Sequence, residues 1–256
     1  MTYLLAIVAG AIQGLTEFLP VSSTGHLIIF EKITGIPQEQ FGLTFDASLH
    51  LGTLLAVVIF FFKDYLRILD RRERLLAKLA VGTLPAVIVG LIFENLIETT
   101  LRQISVVAFS LIFFSLVLVL AEKIGAMTRK RQDLNLRDAL FVGFFQALAL
   151  IPGVSRSGAT IAGGIFAGLN RQESARFAFM LSGPVIAAAG FAKFVGAIQI
   201  SNGVVSLNFF IIGIISSFIF GILTIKYFLA YLSSQTLYPF IVYRIIIGLL
   251  LLFFLI

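Results

Sequence analysis

Cysteine and tryptophan are absent from the 256 residues, and only 12% of them are charged. Without cysteine there is no disulfide and no thiolate nucleophile or metal ligand, and the redox state of the compartment is left open. The scarcity of charge excludes an ordinary soluble domain. Such domains are about 25% charged and about 45–50% apolar, whereas this chain is 59% hydrophobic with a mean hydropathy of +1.05. No basic segment precedes the first apolar run and no small-residue cleavage site follows it, so a signal peptide is not expected and the chain is expected to stay in the membrane. With tryptophan missing, 27 phenylalanines dominate the aromatic complement. They suit lipid-facing and groove-lining surface, as in any membrane protein. The formal charge of +6 is no sign of a nucleic-acid partner, because the basic residues are gathered in short connections.

What is present is a set of long apolar runs, each long enough for a hydrocarbon core of about 30 Å. Lys63, Arg67, Arg71, Arg72, Arg74 and Lys78 fill one connection; Lys123, Arg129, Lys130, Arg131 and Arg137 fill another. Arg171 and Arg176 bracket a third, and Lys226 precedes a fourth. The alternate connections hold a single basic residue, Arg102. Basic connections are expected on the cytoplasmic side. Threading that rule through the chain predicts spans near 45–62, 76–98, 104–122, 176–198, 208–226 and 238–256. Two broken apolar segments, 3–34 and 138–170, must then enter and leave on the same side, as re-entrant helical hairpins. Such backbone survives at depth only where protein or a wet cavity satisfies it.

The two halves echo each other. Gly10, Gln13, Leu15, Val21, Ser22, Gly25 and Ile28 correspond to Gly143, Gln146, Leu148, Val154, Ser155, Gly158 and Ile161 at an offset of 133. Gly52, Gly82 and Gly90 correspond to Gly183, Gly213 and Gly221 at an offset of 131. A shared offset broken by one two-residue deletion marks an internal repeat. The fold class expected is therefore an all-α polytopic membrane protein, one membrane domain over 1–256. Repeat 1 covers about 1–125 and repeat 2 about 135–256. Each half is one hairpin plus three spans, an odd number, so the halves are in inverted topology, with six full spans and two re-entrant hairpins in all. Inverted repeats with interrupted helices place their sites where the hairpin tips meet.

The polar residues are concentrated at those tips. In QGLTEFLPVSSTGHL, Gln13 and Glu17 are spaced i, i+4 and share one helix face. Pro20 ends that helix, and Ser22, Ser23 and Thr24 offer caps for a returning one. His26 lies three or four residues from the serines. The returning N-terminus presents unpaired N–H groups and a positive dipole end, a natural phosphate site. PGVSRSGAT repeats the plan with Ser155, Arg156, Ser157 and Thr160. Between the copies Glu17 becomes Leu150, Ser23 becomes Arg156 and His26 becomes Ala159. One hairpin thus holds acid, hydroxyl and imidazole, and the other a guanidinium, whose fork suits a phosphate or carboxylate. A charged side chain at the bilayer centre costs about 2.5–3.5 kcal/mol on insertion scales, so this grouping points to a site.

Those two segments resemble the signatures of the undecaprenyl pyrophosphate phosphatase family, membrane enzymes linked to bacitracin resistance. One signature is Glu/Gln-x-x-x-Glu running into PVSSTGH, here Gln13–Glu17 and Pro20–His26; the other is PG-x-SRSG-x-T, here Pro152–Thr160. The resemblance covers essentially the whole chain. It implies hydrolysis of a phosphoric anhydride: undecaprenyl diphosphate to undecaprenyl phosphate, in lipid-carrier recycling for peptidoglycan synthesis. It further implies a bacterial plasma (inner) membrane location with the active site toward the periplasm. Carried over by position, the family's functional residues are Glu17, Ser23, His26, Ser155, Arg156 and Thr160. Gln13 departs from the commoner Glu. On this reading Glu17, Ser23, His26 and Arg156 are catalytic, while Gln13, Ser22, Thr24, Ser155, Ser157 and Thr160 bind substrate. Ser23 is the preferred nucleophile, with Ser22 second, and His26 its base or the acid for the leaving group. Direct attack by water, with Ser23 only capping, stays open. Glu17 either orients His26 or holds a divalent cation, Mg2+ or Ca2+, against the diphosphate. The partners expected are a polyprenyl diphosphate lipid and the bilayer, and a homodimer is left open. The rival reading is a transporter or flippase of the lipid carrier, alone or as a second activity, since alternating access exploits inverted repeats. Asp46 and His50, i and i+4, are read as mutual partners or as support for Glu17 or His26. Arg244 is read as snorkelling or acid-paired.

Overall fold

The computed structural model describes residues 3–35, 43–66, 74–200 and 207–254, without the side chains of 43–44, 98 and 189–200. Arg67, Arg71 and Arg72 of the first basic connection, and 201–206 of a connection expected to be poor in charge, lie outside the described residues. Every helix or strand among the described residues is helical; the one β feature is an isolated bridge between Arg129 and Leu169.

The first broken segment is a helix pair, α1 (Tyr3–Phe18) and α2 (Ser23–Thr34). It is followed by α3 (Leu43–Phe60), a short α4 (Phe62–Leu66), α5 (Leu75–Ile92), a short α6 (Glu94–Glu98), a 3-10 turn (Thr100–Arg102) and α7 (Ile104–Ile124). The second half runs α8 (Leu136–Leu148), α9 (Arg156–Phe166), α10 (Arg171–Ile200), α11 (Leu207–Leu232) and α12 (Tyr238–Phe254). Both halves thus read as a helix pair followed by three long helices. The expected span over 76–98 is shorter than foreseen. It stops at Ile92, because Phe93 leaves helical geometry just before the polar Glu94–Asn95 step. Among the described residues α5, α7 and α11 are long and apolar enough to cross a membrane, and α1, α12 and the Phe45–Phe60 part of α3 are shorter apolar helices. With several such helices the chain is a multi-pass membrane protein.

The halves pack reciprocally. α1 lies along α11 and α8 lies along α5. A Cβ on Gly10 would meet the Gly213 carbonyl at 2.4 Å, and one on Gly143 would meet the Gly82 carbonyl at 2.5 Å. Gly10 pairs with Gly143, and Gly82 with Gly213, at the offsets found in the sequence. The same close approach is therefore made twice, each time between a first helix of one copy and a span of the other. Small residues let the backbones approach, and hydroxyls bond across the seam. Ser216 Oγ donates to the Ile7 carbonyl at 2.7 Å and Ser217 Oγ to that of Leu49 at 2.8 Å. Between the halves lies an apolar core with Phe18, Phe61, Phe177 and Phe179 among its largest members.

The described basic connections are drawn to one end. Asp64 after α3 pairs with Arg131 from the α7–α8 connection at 3.0 Å and with Arg176 of α10 at 3.1 Å. Glu122 at the end of α7 takes Arg171 and the Leu237 amide before α12. Four connections are thereby clasped together, leaving the helix-pair turns free to meet inside.

Candidate active site

The turn after α1 is built by Pro20. Ser22 then adopts φ 74°, outside the range most side chains accept, and its hydroxyl accepts from the Gly25 amide at 3.4 Å. Ser155 does the same at the start of α9, with φ 74° and its hydroxyl 3.2 Å from the Gly158 amide. A non-glycine residue at positive φ is a strained feature that persists where the surroundings enforce it. Here it recurs at equivalent positions of both copies, and in each it turns the chain so that a helix starts at the tip. Ser157 joins the tips directly, donating to the Leu19 carbonyl at 2.8 Å.

Glu17 is the hub. Its Oε2 accepts from Ser23 Oγ at 2.6 Å and Gln13 Nε2 at 3.0 Å, and lies 3.6 Å from His50 Nε2. Its Oε1 is ion-paired with the Arg156 guanidinium of the other hairpin. Glu17 is 7% exposed and Ser23 8%. A short bond from hydroxyl to carboxylate, with a cation on the other carboxylate oxygen, gives a hydroxyl with a proton acceptor in place. Glu17, Ser22, Ser23, Thr24, Ser155 and Arg156 all line one cavity of about 260 Å³, together with Asp46, His50, Arg102, Gln146 and an apolar wall that includes Ile97, Leu150 and Ile186. Gln13 stands behind Glu17 rather than in the cavity wall.

Three expected site residues are directed elsewhere. Both ring nitrogens of His26 have partners, Nδ1 with the Ser22 carbonyl at 2.8 Å and Nε2 with the Tyr243 hydroxyl at 2.7 Å, and the ring stacks on Tyr243. The i+3 spacing put His26 beside Ser23 along the chain, but the α2 register turns its ring toward α12. Thr160 bonds back to the Arg156 carbonyl at 2.7 Å, and Ser157 to the tip backbone and Ser155. The imidazole that approaches Glu17 is His50, whose Nδ1 is bonded to the Asp46 carbonyl at 2.7 Å. The Asp46 carboxylate turns instead to Arg102, at 3.0 Å.

Arg244 neither snorkels nor pairs with an acid. It is fully buried; Nη1 donates to the Pro20 carbonyl and Nη2 to the Gly153 carbonyl, each at 3.0 Å, and Nε donates to Ser115 Oγ at 3.2 Å. One guanidinium thus binds both hairpin turns. Those carbonyls follow the C-terminal ends of α1 and α8, where the dipoles favour a cation. An ionisable residue in the middle of an apolar helix is a functional candidate by default, and that signal for Arg244 was legible in the sequence.

For a divalent cation the protein offers little by itself. Among the described residues no three acidic or imidazole side chains are grouped to hold one. Hard cations want six or more oxygens, and Glu17 with the neighbouring hydroxyls supplies a few. The set fits a cation that takes its remaining oxygens from a diphosphate.

The family model described as bacitracin resistance protein BacA matches residues 6–250. Named undecaprenyl-diphosphatase, a protein of Rubrobacter xylanophilus is 41% identical over 253 residues, covering 93% of each chain. One of Thermodesulfovibrio yellowstonii with the same name is 43% identical over 239 residues, covering 93% of this chain and 92% of its own. A third, from Idiomarina loihiensis, is 40% identical over 260 residues and covers 97% of each. Both signature segments and every cavity residue fall inside the matched range, and the chain belongs to the bacitracin resistance protein BacA family.

Proposed function

We propose that the protein removes the terminal phosphate of undecaprenyl diphosphate, releasing undecaprenyl phosphate for reuse as the lipid carrier of peptidoglycan synthesis. One observation carries the reading. Ser23 donates to a carboxylate, Glu17, that is ion-paired to Arg156, so nucleophile, proton acceptor and anion clamp meet where two helices begin. The name shared by relatives at 40–43% identity supports the substrate.

In the first step Ser23 Oγ bonds the terminal phosphorus as its proton passes to Glu17. The bond from that phosphorus to the bridging oxygen breaks, and the lipid monophosphate leaves with the electron pair and takes the proton from Glu17. Glu17 then accepts a proton from water, whose oxygen attacks the phosphoserine, and Ser23 recovers the proton as free phosphate departs. Arg156 and the N-terminal amides of α2 and α9 hold the non-bridging oxygens throughout. Glu17 is the residue that would hold Mg2+ or Ca2+, which would supply further charge neutralisation when bound. The alternative is a one-step attack by water, with Glu17 as its base and Ser23 only capping α2. Phosphate release from a polyprenyl diphosphate by detergent-purified protein separates the two. Ser23→Ala loses turnover by 10²-fold or more on the covalent route and retains it near the wild-type level on the direct one. Glu17→Gln abolishes both, and no release with any divalent ion present would sink the enzyme reading.

The finer architecture is part of the proposal. Two re-entrant hairpins and six spans in inverted repeat are supported by the reciprocal glycine contacts, and the bacterial inner membrane is the location that goes with the family. The clasped basic end is cytoplasmic, and the cavity, with Arg102 and Ile97, opens toward the periplasm. Because the chain lacks cysteine, single introduced cysteines near Arg102 and Arg129 report their sides with an impermeant thiol reagent.

A further inference from the structure

The cavity holds a second guanidinium that the reaction described above leaves unused. Arg102, in the 3-10 turn before α7, lines the same cavity as Arg156, and its side chain is 15% exposed. Among the described residues its one hydrogen bond goes from Nη2 to Asp46 Oδ2, at 3.0 Å. Each cavity arginine thus faces one carboxylate, Arg156 facing Glu17 and Arg102 facing Asp46. The two carboxylates are linked through α3. His50 Nε2 is 3.6 Å from Glu17, and His50 stands one helical turn from Asp46, a rise of about 6 Å. Two bridged phosphates, each wanting a bidentate cation, call for two guanidiniums in one cavity, and Arg102 and Arg156 both line this one. The sequence copies are unequal at this point as well: at the offset of 131, Asp46 and His50 correspond to Phe177 and Leu181, so only one copy has the polar arm.

We propose that Arg102 is the clamp for the lipid-bearing phosphate, exchanging Asp46 for substrate while Arg156 holds the terminal phosphate at Ser23. The inference rests on the diphosphatase reading and adds a specificity residue to it: Arg102 recognises the second phosphate of the substrate and neutralises the charge that collects there as the bond breaks. The plain alternative is a tether, with Arg102 only fastening the 3-10 turn to α3 through Asp46.

The test measures binding of pyrophosphate and of orthophosphate to the detergent-purified full chain by calorimetry, a readout independent of turnover. Arg102→Gln is expected to weaken pyrophosphate by about tenfold to a hundredfold, the worth of a charged hydrogen bond, while orthophosphate changes less than about twofold. Arg102→Lys restores part of the loss, and Asp46→Asn, which removes the competing carboxylate, binds pyrophosphate at least as tightly as wild type. If Asp46→Asn weakens pyrophosphate as much as Arg102→Gln, the arginine is a tether and the clamp is refuted. Equal losses for both anions, or no loss, also refute it. Wild-type hydrolysis of a polyprenyl diphosphate is followed in parallel. Its absence overturns the parent reading, whereas normal hydrolysis with unaltered anion preference in Arg102→Gln overturns only this one.

Discussion

Arg244→Met keeps an unbranched apolar stem and removes every donor, which tests what the buried guanidinium does. In the wild type it satisfies the Pro20 and Gly153 carbonyls and bonds Ser115. Ser115 keeps a second partner, donating to the Leu111 carbonyl at 2.7 Å, so its loss is minor. The two turn carbonyls lose a charged donor each, and an unsatisfied buried acceptor costs about 1–3 kcal/mol. The gross loss is therefore about 2–6 kcal/mol. Against it stands the desolvation of a buried cation with no acid beside it, several kcal/mol that methionine no longer has to meet. The terms nearly offset, so thermal stability in detergent should fall only modestly. Catalysis has no such compensation. Pro20 lies three residues before Ser23 and Gly153 three before Arg156, and a misplacement of about 1 Å in reacting groups lowers rates by about 10²-fold. The expectation is a kcat lower by about 10–10²-fold in protein that remains folded by size-exclusion and melting, with KM changed much less. Arg244→Lys recovers little, because one ammonium replaces a planar fork. Wild-type kcat in folded Arg244→Met would refute the reasoning, as would a loss of activity that merely follows the fraction unfolded.

Two further outcomes follow from the packing and from the tips. Gly143→Ala drives a methyl into the Gly82 carbonyl at 2.5 Å, and Gly10→Ala drives one into that of Gly213 at 2.4 Å. Each should destabilise by about 1–3 kcal/mol through overpacking, read as a lower melting temperature in the same detergent, and the near-equality of the two tests the reciprocity of the seams. His26→Gln keeps donor and acceptor atoms near Ser22 and Tyr243 but cannot titrate. If His26 positions the turn, kcat stays within about tenfold and its pH profile keeps both limbs, whereas a 10²–10⁴-fold drop with a lost limb returns His26 to general acid–base work.

Periodicity and charge made the helices legible, and the repeat made their pairing legible. The two helix pairs begin and end within a few residues of the expected segments, because Pro20 and Pro152–Gly153 are strong local breakers. The Gln13–Glu17 face was legible for the same reason: i, i+4 is a local relation. What the sequence hid was long-range. Glu17 to Arg156, Asp46 to Arg102 and Arg244 to both turns join residues far apart in the chain, and local spacing says nothing about which of several buried cations meets which acid. His26 shows the converse. Proximity to Ser23 in sequence suggested a partner, yet on a helix of 3.6 residues per turn a three-residue step does not fix which way a ring points once Tyr243 offers a bond.

The differences between the copies divide fold from chemistry. Gln13 and Gln146, and Ser22 and Ser155, are retained, and the two serines hold the same φ and make the same cap. These residues build a hairpin tip wherever one is needed. The unequal positions are Glu17 against Leu150, Ser23 against Arg156 and Asp46 against Phe177. If both copies kept the acid, two carboxylates would face each other at the meeting tips and one would have to be protonated. With arginine on one side the Glu17 charge is balanced, and its other oxygen is left to accept the Ser23 hydroxyl. A symmetric fold therefore yields a single site, with polarity set by which tip carries the acid and which the guanidinium. Exchanging those residues between the tips, Glu17→Leu and Ser23→Arg with Leu150→Glu and Arg156→Ser, keeps both caps intact. It should still give a folded chain, yet one whose activity is lost, because the polar arm of Asp46, His50 and Arg102 remains on the first copy's side.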